Sequence, residues 1–248
     1  MPHSAEFRLS VTRALGDQLA QLLGELTPTP LTDATLQELD QRPGVYQLYH
    51  QGELVYIGKA DSSLPQRLGQ HRFKLSGRLN IDTASVGFTC VYIEEDLEAV
   101  APERLLINRF RGRGGIPWNT NGFGSNDPGQ RRDTTEFEGN HFDVLYPAEL
   151  DRPVPEISPG TYQAGDLAIA LKAALPFVFR FKSAGRRGGP PHPDFRAASV
   201  TVPESNMTAD QLFGLLAESM PDWQATALPG YVIMYPTGGL FPSARKIY

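Results

Sequence analysis

The chain has 248 residues, of which 40% are hydrophobic and 21% are charged, a balance typical of a globular protein with a buried core. It contains no apolar run of about 18 residues, so we expect no membrane span, and residues 1–9 lack the apolar core of a signal peptide. The single cysteine, Cys90, excludes an internal disulfide framework and a cysteine-based zinc site, which favours a reducing, cytoplasmic location.

The formal net charge of −5 conceals an uneven distribution of basic residues. Three windows, residues 59–78, 104–132 and 180–196, hold 16 of the 23 basic residues and only three acidic ones. A single basic run is about as often a solvated face as a binding face. Three such runs in an otherwise acidic chain predict a surface that contacts a polyanion.

The first half of the chain predicts alternating helices and strands. We expect helices over residues 4–25, 34–39, 64–75 and 102–110, and strands over residues 45–49, 54–57 and 86–92. The first two strands flank a short turn and form a β-hairpin. The expected fold is α/β (α+β): a small, mainly antiparallel sheet flanked by helices, with the two hairpin strands central.

The second half predicts a separate α+β pattern. Residues 146–160 contain four prolines and are expected to be a linker. Beyond them we expect helices over residues 166–175 and 208–220 and strands over residues 177–182, 199–202 and 231–235. Thr208 and Gln211 have the spacing of a helix capping box. The expected domains are an N-terminal helical segment at 1–40, a core domain at 41–150 and a C-terminal α+β region at 151–248.

The predicted hairpin carries two short motifs. It reads Gly44-Val45-Tyr46 and then, ten residues after Tyr46, Tyr56-Ile57-Gly58. Arg67 and His71 lie four residues apart on the next predicted helix, so their side chains project from one face. Arg67 and His71 are therefore expected to lie close together.

Glu103, near the start of a later helix, and Asn119 complete an ordered set. The set consists of two tyrosines, an Arg with a His one helical turn later, a Glu and an Asn, in that order. This pattern resembles that of the GIY-YIG nuclease superfamily, with GVY as a variant of the first tripeptide. Over roughly residues 40–150, the stretches LVYIGKADSSLPQRLGQHRFKLSGR and PWNTNGFGSNDPGQRRD are similar to its type II restriction endonucleases, whose type member cuts within CCGCGG. A Gly/Arg insertion before Asn119 and residues 155–248 depart from that family.

The resemblance implies a site-specific endonuclease that hydrolyses phosphodiester bonds in double-stranded DNA. It implies one divalent cation, Mg²⁺, for which Mn²⁺ can substitute. If the target is a palindrome, symmetry implies a homodimer with one active site per strand.

Phosphodiester hydrolysis needs an activated water, neutralisation of the phosphate and help for the departing oxygen. Glu103 lies on an otherwise apolar helix face and is the expected Mg²⁺ ligand. Its alternative role is a Glu stabilised by the dipole at a helix N-terminus. Arg67 is expected to hold the scissile phosphate, since its planar guanidinium stays charged; otherwise it is an ordinary exposed helix residue.

The remaining members have roles that the resemblance implies. Tyr46 corresponds to the proposed general base, although a phenol with a pKa of about 10 needs basic neighbours to serve at neutral pH. Tyr56 is expected to contact the phosphate or water, and His71 to accept a proton or orient the water. Lys59 is expected to add positive charge, and Asn119 to fix the local backbone. Alternatively, the tyrosines simply pack the sheet and His71 is a hydrogen-bonded, half-buried histidine.

Basic residues of the first two windows are expected to contact DNA. They are Arg72, Lys74, Arg78, Arg109, Arg111, Arg113, Arg131 and Arg132. Residues 155–248 are expected to be a DNA-contacting module, given Arg180–Arg187, or a dimerisation or partner-binding module. The loop at Arg186-Arg187 is either a phosphate contact or a solvent-exposed hairpin loop.

Two other functions fit the sequence. One keeps the chemistry in a repair, homing or mobile-element nuclease. The other is a non-catalytic DNA-binding module on a decayed nuclease fold, against which the intact set of site residues argues. The five histidines lack HxxxH or HExxH spacing, which makes a zinc site improbable.

Overall fold

The computed structural model describes residues 3, 11–93, 104, 106–107, 115–124, 129–185, 189–236 and 239–248, with side chains in the first helix from residue 14 onward. The chain forms two compact units, the first made of residues 1–72 and 82–121 and the second of residues 73–81 and 122–248. No helix among the described residues is long and apolar enough to cross a membrane.

The described helices are α1 Val11–Glu25, α2 Asp33–Gln37, α3 Leu64–Ser76, α4 Pro117–Thr120, α5 Gln130–Asp133, α6 Phe142–Leu145, α7 Ala164–Ala174, α8 Asp194–Ala197 and α9 Ala209–Glu218. The described strands are β1 Thr29–Pro30, β2 Gly44–His50, β3 Glu53–Ala60, β4 Val86–Tyr92, β5 Gly160–Gln163, β6 Val178–Phe181, β7 Ser199–Val202, β8 Trp223–Ala227, β9 Tyr231–Pro236 and β10 Lys246–Ile247.

The predicted hairpin is present in the first unit as β2 and β3. Its turn residues Gln51 and Gly52 have positive φ angles of 53° and 84°, the combination that suits a tight hairpin. Antiparallel partners share a sheet face, and the register pairs Tyr46 with Gly58 and Leu48 with Tyr56. The two tyrosines therefore lie on the same face of the sheet.

The first unit is built on an antiparallel four-stranded sheet of order β1-β4-β2-β3. The expected mixed α/β architecture with an N-terminal helix is thus confirmed. The expectation that both hairpin strands are central was half wrong, because β3 is an edge strand among the described strands. Strand β4 pairs with β2, and β3 is left with one strand neighbour.

Helices cover both faces of this sheet. On the face opposite the tyrosines, Val45 and Ile57 pack in a cluster with Leu23 of α1 and with Leu106. On the tyrosine face, α3 begins at Leu64, whose side chain is buried. A Cβ built on Gly44 would lie 2.7 Å from a methyl carbon of Leu64. The glycine of the first motif therefore lets α3 pack closely on the sheet.

The second unit contains two further sheets. The larger has the order β10-β8-β9-β6, in which β6 runs parallel to β9, and the smaller pairs β5 with β7. Its core draws on α7, α9 and these strands, with Phe179, Phe195 and Phe213 fully buried. The capping box predicted at Thr208 and Gln211 is present at the start of α9.

The proline-rich segment 146–160 was wrongly predicted to be a linker. Its apolar residues Ala148, Leu150, Val154 and Ile157 are buried in the core of the second unit. Prolines restrict the backbone of this segment without preventing the side chains between them from packing inward. The segment is therefore part of the second unit.

Candidate active site in the first unit

Three of the predicted site residues form a close cluster on the tyrosine face of the sheet. Tyr46 Oη and His71 Nε2 are 2.7 Å apart. The ring centroids of Tyr46 and Tyr56 are 6.1 Å apart, and those of Tyr56 and His71 are 5.4 Å apart. The hairpin register supplies the two phenols, and α3 supplies the imidazole.

Gly58, the last residue of the second motif, makes room for this cluster. A Cβ built on Gly58 would lie 2.3 Å from Tyr46 Oη and 2.7 Å from the Tyr56 ring. Real Cβ atoms essentially never make non-bonded contacts this short, so any side chain here would push both tyrosines away. The glycine is needed for the position of the Tyr46 hydroxyl, a role that the motif alone did not reveal.

Arg67 joins the cluster from the preceding turn of α3. Burial alone would lower the pKa of the Arg67 guanidinium, but its interactions with the hydroxyls of Tyr46 and Tyr56 outweigh burial and raise that pKa. Its Nη1 also donates to Gln70 Oε1 at 3.1 Å. Arg67 thus carries a permanent positive charge beside two phenol groups.

The members differ sharply in exposure. Tyr46 is 0% exposed, His71 4% and Tyr56 6%, whereas Arg67 is half-buried. In this conformation Arg67 is thus the most exposed of the four side chains.

Asn119 fixes the outer side of the edge strand β3. Its Oδ1 accepts from the Ile57 N–H and its Nδ2 donates to the Ile57 carbonyl, both at 2.8 Å. The amide thereby takes the place of a neighbouring strand at the residue between Tyr56 and Gly58. This geometry matches the backbone-fixing role predicted for Asn119.

Lys59 is not brought to the tyrosines. Its register partner is Val45, which lies on the opposite face of the sheet from Tyr46. Its Nζ instead contacts Asp61 Oδ1 at 2.9 Å on the exposed surface. The expectation that Lys59 adds positive charge at the phosphate has no support in this geometry, because successive strand residues point to opposite faces.

Glu103, the predicted Mg²⁺ ligand, lies outside the described residues. Within the described part of the chain, no group of three or more His, Cys, Asp or Glu side chains is placed to hold a metal ion. Cys90, opposite Tyr46 on β4, adds no thiolate, since burial raises its pKa to about 11. Among the described residues, the cluster therefore consists of phenol, imidazole and guanidinium groups.

The residues predicted to contact DNA have several different environments. In the first unit, Arg72 forms an ion pair with Asp33 at 2.8 Å and is partly exposed. In the second unit, Arg131 is exposed and Lys74 donates to the Phe123 carbonyl. Three further predictions, Arg109, Arg111 and Arg113, lie outside the described residues, as do Arg186 and Arg187.

Arg78, also predicted to contact DNA, is instead a buried structural residue of the second unit. Its side chain is 3% exposed and forms an ion pair with Asp143 at 2.8 Å. It also donates to the Tyr146 carbonyl at 3.1 Å. Its position in a basic window of the sequence gave no sign of this burial.

Comparisons with known proteins do not identify a family for this chain. The sequence matches no family model, and no curated protein matches it.

Proposed function

We propose that the first unit is the catalytic part of a Mg²⁺-dependent DNA endonuclease of the GIY-YIG type, and that the protein is a type II restriction enzyme. The observation that carries this proposal is the convergence of Tyr46, Tyr56, Arg67 and His71 on one sheet face. Phenol, imidazole and guanidinium groups in contact are suited to moving a proton beside a phosphate.

Arg67 has the role of holding the scissile phosphate. It is the half-buried member of the cluster, and its raised pKa keeps it charged. Its planar fork matches phosphate oxygens, and positive charge there offsets the charge that develops in the transition state.

Tyr46 and His71 form the proposed proton-handling pair, in which Tyr46 also interacts with Arg67. Their 2.7 Å separation lets a proton pass between the phenol and the imidazole. Tyr56 lies against both rings and interacts with Arg67, so it positions the guanidinium.

A divalent cation would be held by Glu103. When bound, Mg²⁺ supplies Lewis-acid stabilisation of the phosphate and of the departing oxygen.

Incubation of sequenced phage DNA with the purified protein tests the function. We expect discrete fragments in Mg²⁺ and none in EDTA, and the mapped fragment ends give the recognition site and cut position. Matching half-sites would support the proposed homodimer. Cutting only at lesions or at one long site would favour a repair or mobile-element nuclease instead.

One observation favours the non-catalytic alternative, a DNA-binding module on a nuclease fold. Tyr46 is 0% exposed, so it does not reach a substrate in this conformation. Tight DNA binding without cleavage in either Mg²⁺ or Mn²⁺ would establish that alternative and overturn the proposal.

A further inference from the structure

The second unit contains a large cleft that the proposed chemistry does not use. Its volume is about 1200 Å³. Small-molecule sites are usually about 300–1,000 Å³, so this cleft has room for an extended ligand. Consecutive residues of the edge strand β6, Val178–Phe181, form one wall.

The lining is strongly basic. Among the described residues, seven Lys and Arg side chains line the cleft, against Asp143 as the one carboxylate. Such an imbalance inside a concave surface concentrates positive potential, since low-dielectric walls focus the field. The ligand that this charge fits is a polyanion.

Some of these charges are neutralised within the unit. Arg78 is paired with Asp143, and Arg180 contacts Asp133, a 1% exposed carboxylate that also accepts from Tyr231 at 2.9 Å. These ion pairs hold the cleft wall in place. They contribute little of the net positive charge.

Other charges face solvent. Arg131, Lys172 and Lys182 line the cleft and are exposed, and Lys172 Nζ lies 5.6 Å from the Phe181 ring centroid. These three belong to different parts of the chain, α5, α7 and the end of β6. The fold thus brings together cations that are far apart in the sequence. A basic run that is merely exposed to solvent would not collect cations from separate elements.

His141 adds no further charge at neutral pH. Burial lowers its pKa, and the cations Arg132, Lys74 and Arg78 lower it further against the opposing effect of Asp143. Burial is the largest cause of this lowering, so His141 is a neutral member of the lining.

We infer that this cleft is a second nucleic-acid-binding site, which holds the phosphodiester backbone of DNA by charge and independently of the cluster at Tyr46. This inference rests on the proposed function for the identity of the polyanion. The chemistry is shared by duplex and single-stranded DNA, and the test distinguishes them.

The test compares two triple variants of the full chain. The cleft variant carries Arg131→Gln, Lys172→Gln and Lys182→Gln. The matched control carries Arg196→Gln, Arg245→Gln and Lys246→Gln, which removes three exposed charges of the same unit that do not line the cleft. Binding is measured by fluorescence anisotropy in EDTA, over a series of salt concentrations, with a labelled duplex and with one of its strands.

Each lost phosphate contact reduces the slope of log affinity against log salt by about 0.9 for a duplex and 0.7 for a single strand. For the cleft variant, we expect the magnitude of this slope to fall by up to about 2.7 with the duplex or about 2.1 with the single strand. We expect its affinity for DNA to be roughly 100-fold lower near 0.15 M salt. The control should match the wild type within about threefold. The form of DNA for which the affinity falls more is the ligand of the cleft.

The outcomes separate this inference from the proposed function. Wild-type protein that cuts DNA, with a cleft variant that binds as tightly as the control, would overturn the inference alone. Wild-type protein that binds neither form of DNA would overturn both. Displacement of DNA by polyglutamate of equal charge at equal concentration would also overturn it, because the cleft would then be selective only for negative charge.

Discussion

Replacing Arg67 by alanine is expected to reduce the rate of DNA cleavage by at least about 10³-fold while leaving the fold intact. Arg67 is the half-buried cation of the cluster, and its contacts with Tyr46 and Tyr56 raise its pKa. In the proposed role, its loss would remove the positive charge that offsets the developing charge on the phosphate. The measurement is single-turnover cleavage of the mapped site, with circular dichroism to check the fold.

Two further variants separate catalysis from structure. Arg67→Lys keeps a positive charge without the planar fork, so we expect it to recover only part of the rate. Arg42→Ala removes a partly exposed arginine of the same unit that pairs with Asp40, and it should cleave at nearly the wild-type rate. If Arg67→Ala cleaved as fast as Arg42→Ala, the phosphate role of Arg67 would be wrong.

The largest expected effect on stability comes from Arg78. Replacing it by methionine should lower the free energy of unfolding by about 3–5 kcal/mol, because the mostly buried Asp143 carboxylate would lose its partner. Burial lowers the pKa of Arg78 and Asp143 opposes that effect, which shows how closely the two charges depend on each other. Gly230 leaves space for this carboxylate, since a Cβ there would lie 2.1 Å from Asp143 Cγ.

Urea denaturation followed by circular dichroism measures this effect. The double variant Arg78→Met, Asp143→Leu removes both charges, and we expect it to recover most of the lost stability. Lys246→Gln breaks the more exposed pair with Asp210 and should cost no more than about 1 kcal/mol. A loss below about 1 kcal/mol in Arg78→Met would show that this ion pair is not needed by the second unit.

The cluster at Tyr46 was only partly predictable. The i, i+4 spacing places Arg67 and His71 on one helix face, which follows from the helix period alone. Tyr46 and Tyr56 share a sheet face because an irregularity shifts the register of β2 against β3. Without that shift, the tight turn would pair Tyr56 with Gln47 on the opposite face from Tyr46, and the hairpin motifs carry no signal for the shift.

The failures came from long-range packing. Which strand becomes an edge depends on pairing between β2 and β4, about 40 residues apart in the chain, and the hairpin motifs carry no signal for it. The burial of Arg78 depends on Asp143, 65 residues later. Charge density in a sequence window reports how many cations are present, but not which of them find a buried partner.

The strands β5, β8 and β10 were also not predicted. The strands β5 and β10 are only four and two residues long, and an alternating pattern over so few positions is indistinguishable from a loop. The sequence of β8, WQATA, contains two alanines and a glutamine, which have little strand propensity. Pairing with β9 stabilises it as a strand.

In the proposed function, the cluster of the first unit hydrolyses phosphodiester bonds with a metal held by Glu103. Single-turnover cleavage of the mapped site by the Glu103→Ala protein, in saturating Mg²⁺, is the decisive measurement. We expect no detectable product from a folded protein that binds the DNA as tightly as the wild type does in EDTA. Cleavage at the wild-type rate would contradict the metal assignment and the mechanism built on it.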